Sequence, residues 1–138
     1  MSFLLDTVTV SEAGKRQPNP LVLAWYKARK DDELFISVLT VGEIRRGIAA
    51  RRRRDAAAAD RLERWLAAQR AFFGDRVLPV DEAVAECWGR LNPAMTFPVV
   101  DGLLAATAVV HGLTVATRNA RDFRLAGVDL VNPWDSVP

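Results

Sequence analysis

The sequence predicts an α/β domain: a mostly parallel sheet of about five strands with helices on both faces, in three layers. Two observations predict it. Short apolar runs, such as Phe3-Leu4-Leu5 and Leu34-Phe35-Ile36-Ser37-Val38, recur along the chain; runs apolar at successive positions suit strands buried on both faces. Between them lie longer segments whose apolar residues repeat at helical spacing, and a strand–helix–strand alternation implies parallel crossovers. At 138 residues, half of them apolar and about a quarter charged, residues 1–138 form one domain with a sizeable core.

The elements follow in order. Phe3 to Leu5 is the first strand, ended by Asp6-Thr7. Lys15 to Pro20 is polar, holds two prolines and reads as a loop. Leu21 to Lys30 is a helix with Leu21, Trp25 and Ala28 on one face, and Leu34 to Val38 is the second strand. Thr40 then caps a helix from Val41 to about Arg52, buried through Val41, Ile44 and Ile48. Thr40-x-x-Glu43 has the spacing of a capping box. Asp55 opens a long helix to Phe73, with Leu62, Trp65, Leu66, Gln69, Phe72 and Phe73 as its stripe. Arg76 to Val80 is the third strand. Asp81 caps a helix that faces inward through Val84, Cys87, Trp88 and Leu91, and Asn92-Pro93 breaks it. Thr96 and Pro98 start a helix rich in small residues (Gly102, Ala105, Ala106, Ala108), which permit close packing on a sheet. Leu113 to Thr117 is the fourth strand, Asn119 caps a short helix, and Val128 to Val131 is the fifth strand before a polar tail.

Composition excludes several classes. One cysteine, Cys87, rules out an intrachain disulfide and fits a reducing cytoplasm. One cysteine and one histidine exclude the usual zinc clusters. The opening MSFLLDTVTV lacks the basic stretch of a signal peptide, and no apolar run reaches the ~18 residues of a membrane-spanning helix. Net charge is only +2, so distribution matters more than the total. Arg45, Arg46 and the run Arg51 to Arg54 form a dense basic patch. Such runs are usually solvated faces. This one gains meaning if it flanks an acidic site on a phosphate-bearing substrate.

Four acids stand at or just after strand ends, or in the first turn of a helix behind them: Asp6, Glu43, Asp101 and Asp122. Each has an ordinary explanation. Asp6, Glu43 and Asp122 fit capping roles, and the macrodipole favours Asp101 in a first turn. Together they mean more, because open α/β sheets place their sites at the carboxyl ends of strands. Gathered carboxylates repel unless a hard divalent cation joins them, and oxygen ligands suit magnesium or manganese. Such a centre can activate water for in-line attack on phosphorus.

The chain resembles the PIN-domain ribonucleases, in the toxin branch of the type II VapBC and FitAB toxin–antitoxin systems. LLDT at Leu4 to Thr7, SVLTVGEIRRGI at Ser37 to Ile48, DGLLAATAVVHGLTVATRNARDF at Asp101 to Phe123 and VNPW near the end carry the resemblance. It implies a PIN-like α/β/α fold and a metal-dependent endoribonuclease toxin, with transfer RNA a usual target. It further implies Asp6 and Asp101 as main direct ligands of Mg2+ or Mn2+. Glu43 and Asp122 would act directly or through waters, and Thr7 and Asn119 would support the site. The same resemblance implies products ending in a 5′-phosphate and a 3′-hydroxyl, a small antitoxin that wraps the toxin, and a homodimer. From position, Arg45, Arg46, Arg118 and Arg121 could hold the RNA backbone. Relatives commonly read LLDTN, whereas this chain has Val8 at the last position. The competing reading is a catalytically silent PIN domain that binds nucleic acid or a partner. A phosphoacceptor receiver fits poorly, because Thr7 rather than a second acid follows Asp6.

Overall fold

A computed structural model describes residues 1–91 and 98–135. Five strands form one sheet: β1 (Phe3–Leu5), β2 (Leu34–Ser37), β3 (Val77–Leu78), β4 (Thr114–Ala116) and β5 (Leu130–Val131). Their spatial order is β3-β2-β1-β4-β5 and every pairing is parallel. The helices are α1 (Thr7–Ala13), α2 (Pro20–Lys27), α3 (Val38–Arg52), α4 (Ala56–Phe73), α5 (Glu82–Gly89), α6 (Val99–His111) and α7 (Ala120–Leu125).

The three-layer expectation holds, and β1 shows why. Successive strand side chains point to opposite faces. Phe3 and Leu5 enter one core cluster, with Trp25 of α2, Ile44 and Ile48 of α3, and Leu66 and Phe73 of α4. Leu4 enters the other, with Leu104, Ala105 and Ala108 of α6 and Phe123 of α7. Both Leu4 and Leu5 are almost fully buried, so β1 is the central strand sandwiched between two helical layers. The small residues of α6 bring it close: Gly102, Ala105, Ala106 and Ala108 are all buried. That helix ends at Gly112, whose φ of 66° is the left-handed conformation glycine adopts freely.

Several local expectations are corrected. Helix α1 was not anticipated, because Thr7-Val8-Thr9-Val10 is β-branched and a poor intrinsic helix former. Asp6 starts it by accepting from the Thr9 backbone N–H, and burial of Thr9 and Val10 outweighs propensity. The N-cap of α3 is Ser37, whose Oγ accepts from the Leu39 N–H. The helix therefore begins inside the stretch assigned to a strand, and Thr40 lies buried within it rather than capping it. No capping box forms there, which releases Glu43 for another partner. On α4 the buried positions are Ala58, Ala59, Leu66 and Phe73. Leu62 and Phe72 lie exposed beside that stripe, as do Leu21 on α2 and Trp88 on α5. Asp55 and Asp81 cap α4 and α5 as expected. Asn92-Pro93 and Thr96 fall outside the described residues.

Two contacts tie α1 to its surroundings. Buried Glu12 accepts from Lys15 Nζ at 3.0 Å and from the Asn19 backbone N–H at 3.1 Å, which holds its carboxyl below the usual range and pins the following loop. Gly14, which ends α1, lies against Trp65 of α4, and a Cβ there would sit 2.5 Å from the indole. Gly14→Ala is expected to cost ~1–2 kcal/mol through this overpacking. Thermal denaturation should show a midpoint several degrees lower, whereas an unchanged midpoint would mean that the indole moves aside freely.

Candidate active site

The strand order reverses between β1 and β4, with β2 and β3 on one side and β5 on the other. In open α/β sheets this switch point leaves a crevice at the carboxyl ends of the two central strands. Asp6 follows β1 there, and Thr117 follows β4 beside it. Helices α1, α3 and α7 begin at the same edge, just after β1, β2 and β4. Helix α6 leads back into β4 through two residues, so its first turn, with Asp101, also lies toward this edge.

Asp6 is the anchored member. It is buried, and its oxygens are held from two elements. Oδ1 accepts from the Thr9 backbone N–H at 2.9 Å and lies 2.7 Å from Thr9 Oγ1. The Thr9 hydroxyl is also 2.9 Å from the Ala116 carbonyl, so its single proton is shared between two acceptors. Thr117 Oγ1 donates to Oδ2 at 2.6 Å and itself accepts from the Asn119 N–H at 2.9 Å. The carboxylate is thus locked to β4 on one side and to α1 on the other. Tyr26 of α2 packs on the same core cluster. Its phenol is pushed well above its ordinary value, first by burial and then by the negative charge of Asp6.

Glu43 reaches the site through Thr7. Thr7 Oγ1 donates to Glu43 Oε1 at 2.5 Å and lies 3.3 Å from Thr40 Oγ1. This bond ties the exposed Glu43 side chain to the first residue of α1, the residue after Asp6. Asp101 is half-buried in the first turn of α6. Asp122 lies on α7, and its side chain is outside the described residues. Asn119 stands at the N-cap of α7. Val8, at the second position of α1, is 53% exposed. Among the described residues Asp6, Glu43 and Asp101 do not by themselves close a three-ligand cluster.

The chemistry of the donors nonetheless fits a hard cation. They are carboxylates only, and neither Asp6 nor Glu43 has an ion pair among the described residues. Oε2 of Glu43 accepts no hydrogen bond there, and an ionised carboxylate has about four acceptor positions, so Asp6 retains capacity as well. Oxygen-only, negatively charged sets suit magnesium or manganese.

The candidate arginines are placed unequally. Arg45 is tied to Glu63 of α4 at 2.5 Å, whereas Arg46 is exposed with no ion pair among the described residues. Arg118 lies over the Trp134 ring, 5.3 Å from its centroid. Arg121 is exposed on α7. Sequence reasoning missed Thr9 and Thr117, the hydroxyls that fix Asp6. Thr117 carried a readable signal, a hydroxyl at the end of a central strand. Thr9 did not, because α1 was unexpected.

Comparison with known proteins bears on the chain as a whole. The PIN domain model matches residues 3–128, most of the chain. The chain belongs to the PIN-domain family. Among curated PIN-domain relatives, a VapC ribonuclease of Sinorhizobium fredii is 37% identical over 140 aligned residues, covering 96% of this chain and 98% of the relative. Toxin FitB of Neisseria gonorrhoeae is 36% identical, covering 96% and 98%. A solved structure of FitAB bound to a DNA fragment contains a chain that superposes with a TM-score of 0.90 at 32% identity, covering 99% of this chain and 98% of that one. The fold of this PIN domain therefore matches that chain over nearly its full length.

Proposed function

We propose that this PIN domain is the ribonuclease toxin of a type II toxin–antitoxin pair, an endonuclease that hydrolyses RNA phosphodiester bonds with Mg2+ or Mn2+. The observation that carries the reading is the buried Asp6 carboxylate, fixed at the switch point by Thr9 and Thr117, with Glu43 tied to the start of α1 by Thr7. The names of the relatives, a VapC ribonuclease and toxin FitB, support it. Asp6 and Asp101 are the direct ligands; Glu43 and Asp122 complete the acidic set, directly or through water. When bound, the cation supplies charge neutralisation at phosphorus and a more acidic water. The chain's own residues do the rest. Thr9 and Thr117 keep Asp6 from rotating, Thr7 aims Glu43, and the free Oε2 of Glu43 can orient the attacking water and take its proton. Asn119 steadies Thr117 through its backbone N–H. Arg46, Arg118 and Arg121, close to the acids in sequence and exposed, can hold phosphates. Arg45 contributes less, because Glu63 already occupies it.

The reading includes a small cognate antitoxin, action in the cytoplasm on RNA such as transfer RNA, and a homodimer. No described helix is long and apolar enough to cross a membrane. The antitoxin-free protein is expected to cut total cellular RNA at discrete sites with Mg2+ or Mn2+ and to stop in EDTA. Cutting that persists in EDTA would remove the metal from the scheme. No cutting by folded, metal-supplied protein would favour the silent, partner-binding reading. Exposed Val8, standing where relatives commonly have Asn, is the specific feature behind that second reading, and Val8→Asn is then the first variant to make.

A further inference from the structure

A groove runs away from the acidic site between α1, α3 and α4. Its first hollow, about 510 Å³, begins at Thr7 and Glu43 and reaches Arg51, Arg54 and Trp65. An adjoining hollow of about 520 Å³ shares Gly14, Arg51 and Trp65 and adds Arg16 and Arg61. Gly47, one turn beyond Glu43, keeps the floor low, since a Cβ there would meet nothing within 4 Å. From Glu43 to Arg51 is eight residues of helix, ~12 Å at 1.5 Å per residue, a reach of a few nucleotides.

The arginines of α3 and α4 are sorted by this groove. Outside it, Arg45 and Arg52 are held by Glu63 and Asp60 at 2.5 and 2.9 Å. Along it, Arg16, Arg54 and Arg61 are exposed and have no ion pair among the described residues, and Arg51 has only a loose one, 4.0 Å to Asp55. Trp65 forms a wall. Its edge is backed by Gly14, and its indole N–H donates to no acceptor among the described residues. A row of uncommitted cations beside an aromatic wall is the chemistry that holds a single-stranded nucleic acid: cations track the phosphates and the aromatic group meets bases without regard to sequence.

We propose that this groove is the track along which single-stranded RNA enters or leaves the acidic site, with Arg51, Arg54 and Arg61 on its phosphates and Trp65 against a base. The proposal rests on the ribonuclease reading for its direction, toward Glu43, but its test does not require cleavage. Binding of a short, labelled, mixed-sequence single-stranded oligoribonucleotide is measured in an Asp101→Asn background across a salt series. Arg51→Gln/Arg54→Gln/Arg61→Gln is compared with Arg53→Gln/Arg64→Gln/Arg70→Gln, which removes equal charge from outside the groove. The groove triple is expected to weaken binding about tenfold or more and to flatten the log–log salt slope by about 2, three phosphates at ~0.7 each. The control triple should change affinity less than about threefold. Melting curves establish that both triples are folded. Equal losses in the two triples, or full binding by the groove triple, overturn the proposal. So does a groove triple that keeps RNA and loses only an acidic partner peptide, which would make the groove a protein-docking site. If the parent protein cuts no RNA but the groove triple still loses binding, the ribonuclease reading fails and the track stands. If the parent cuts RNA and the groove triple binds normally, the track alone fails.

Discussion

Asp101→Asn is expected to lower RNA cleavage by about a thousandfold or more, while the melting midpoint moves by only a few degrees. The two effects separate because they have different origins. As a half-buried acid in the first turn of α6, Asp101 interacts favourably with the helix macrodipole, a contribution of ~0.3–1 kcal/mol. Losing it shifts the midpoint of a chain this size by roughly 1–5 °C. Asn keeps nearly the same shape, so the packing of α6 against β1 and β4 survives. Under the proposed scheme, what disappears is a unit of negative charge on a ligand of the divalent cation, and an amide oxygen of similar position does not replace that charge. The check is cleavage of labelled RNA under excess Mg2+ and Mn2+, beside a thermal melt of the same preparation. A folded variant with undiminished activity would sink the assignment of Asp101, and with it the metal scheme.

The layout of the sheet was legible because its strands are short and apolar on both sides. Phe3-Leu4-Leu5 reads as a buried strand, and the structure divides it between two cores, Phe3 and Leu5 one way and Leu4 the other. The ends of elements were less legible, and the reason is tertiary. In Thr7-Val8-Thr9-Val10 local propensity opposes a helix, yet the Asp6 cap and the burial of Thr9 and Val10 create one. At the start of α3, two residues can serve as caps, Ser37 and Thr40. Ser37 does so because its Oγ reaches the Leu39 N–H, whereas Thr40 is drawn into the interior toward Thr7. Periodicity likewise marks α4 as amphipathic. It does not reveal that small Ala58 and Ala59 face inward while Leu62 and Phe72 are left exposed.

At the site, the place of Asp6 was legible from position, because it follows the short apolar run of β1, whereas Glu43 lies one turn deeper in α3 than its spacing from Thr40 suggests. Their supports were not. A capping box explains Glu43 from spacing alone, but the real partner of its carboxylate is Thr7, 36 residues away. Thr117 bonds Asp6 across 111 residues. Long-range bonds of this kind leave no spacing pattern. They become predictable only when the strand order is known, since it is the β1–β4 pairing that sets Leu5 opposite Ala116 and so brings the residues after them together.

That dependence makes Thr117 the second decisive position. Thr117→Val keeps the shape of a fully buried side chain and removes one hydroxyl. Two hydrogen bonds go with it: the donation to Asp6 Oδ2 at 2.6 Å and the acceptance from the Asn119 N–H at 2.9 Å. A bond to a charged group contributes ~1.5–3 kcal/mol, and a buried carboxylate oxygen left without its donor adds a desolvation cost. The expected loss is about 2–3 kcal/mol, a fall of roughly 8–12 °C in the melting midpoint. Activity should fall about tenfold to a hundredfold, the range for groups that orient a metal ligand. The origin of that loss can be tested through the metal. With Asp6 held only from Thr9, the apparent Mg2+ requirement should rise, and saturating Mg2+ or Mn2+ should restore much of the rate. Asp101→Asn, in contrast, should stay inactive at any metal concentration. Thr117→Ser, which retains the hydroxyl, should recover most of the activity and part of the stability. If Thr117→Val lowers the melting midpoint but leaves the metal requirement unchanged, Thr117 stabilises the β1–β4 edge without orienting Asp6. If Ser fails to rescue either property, the methyl group rather than the hydroxyl is what the site requires.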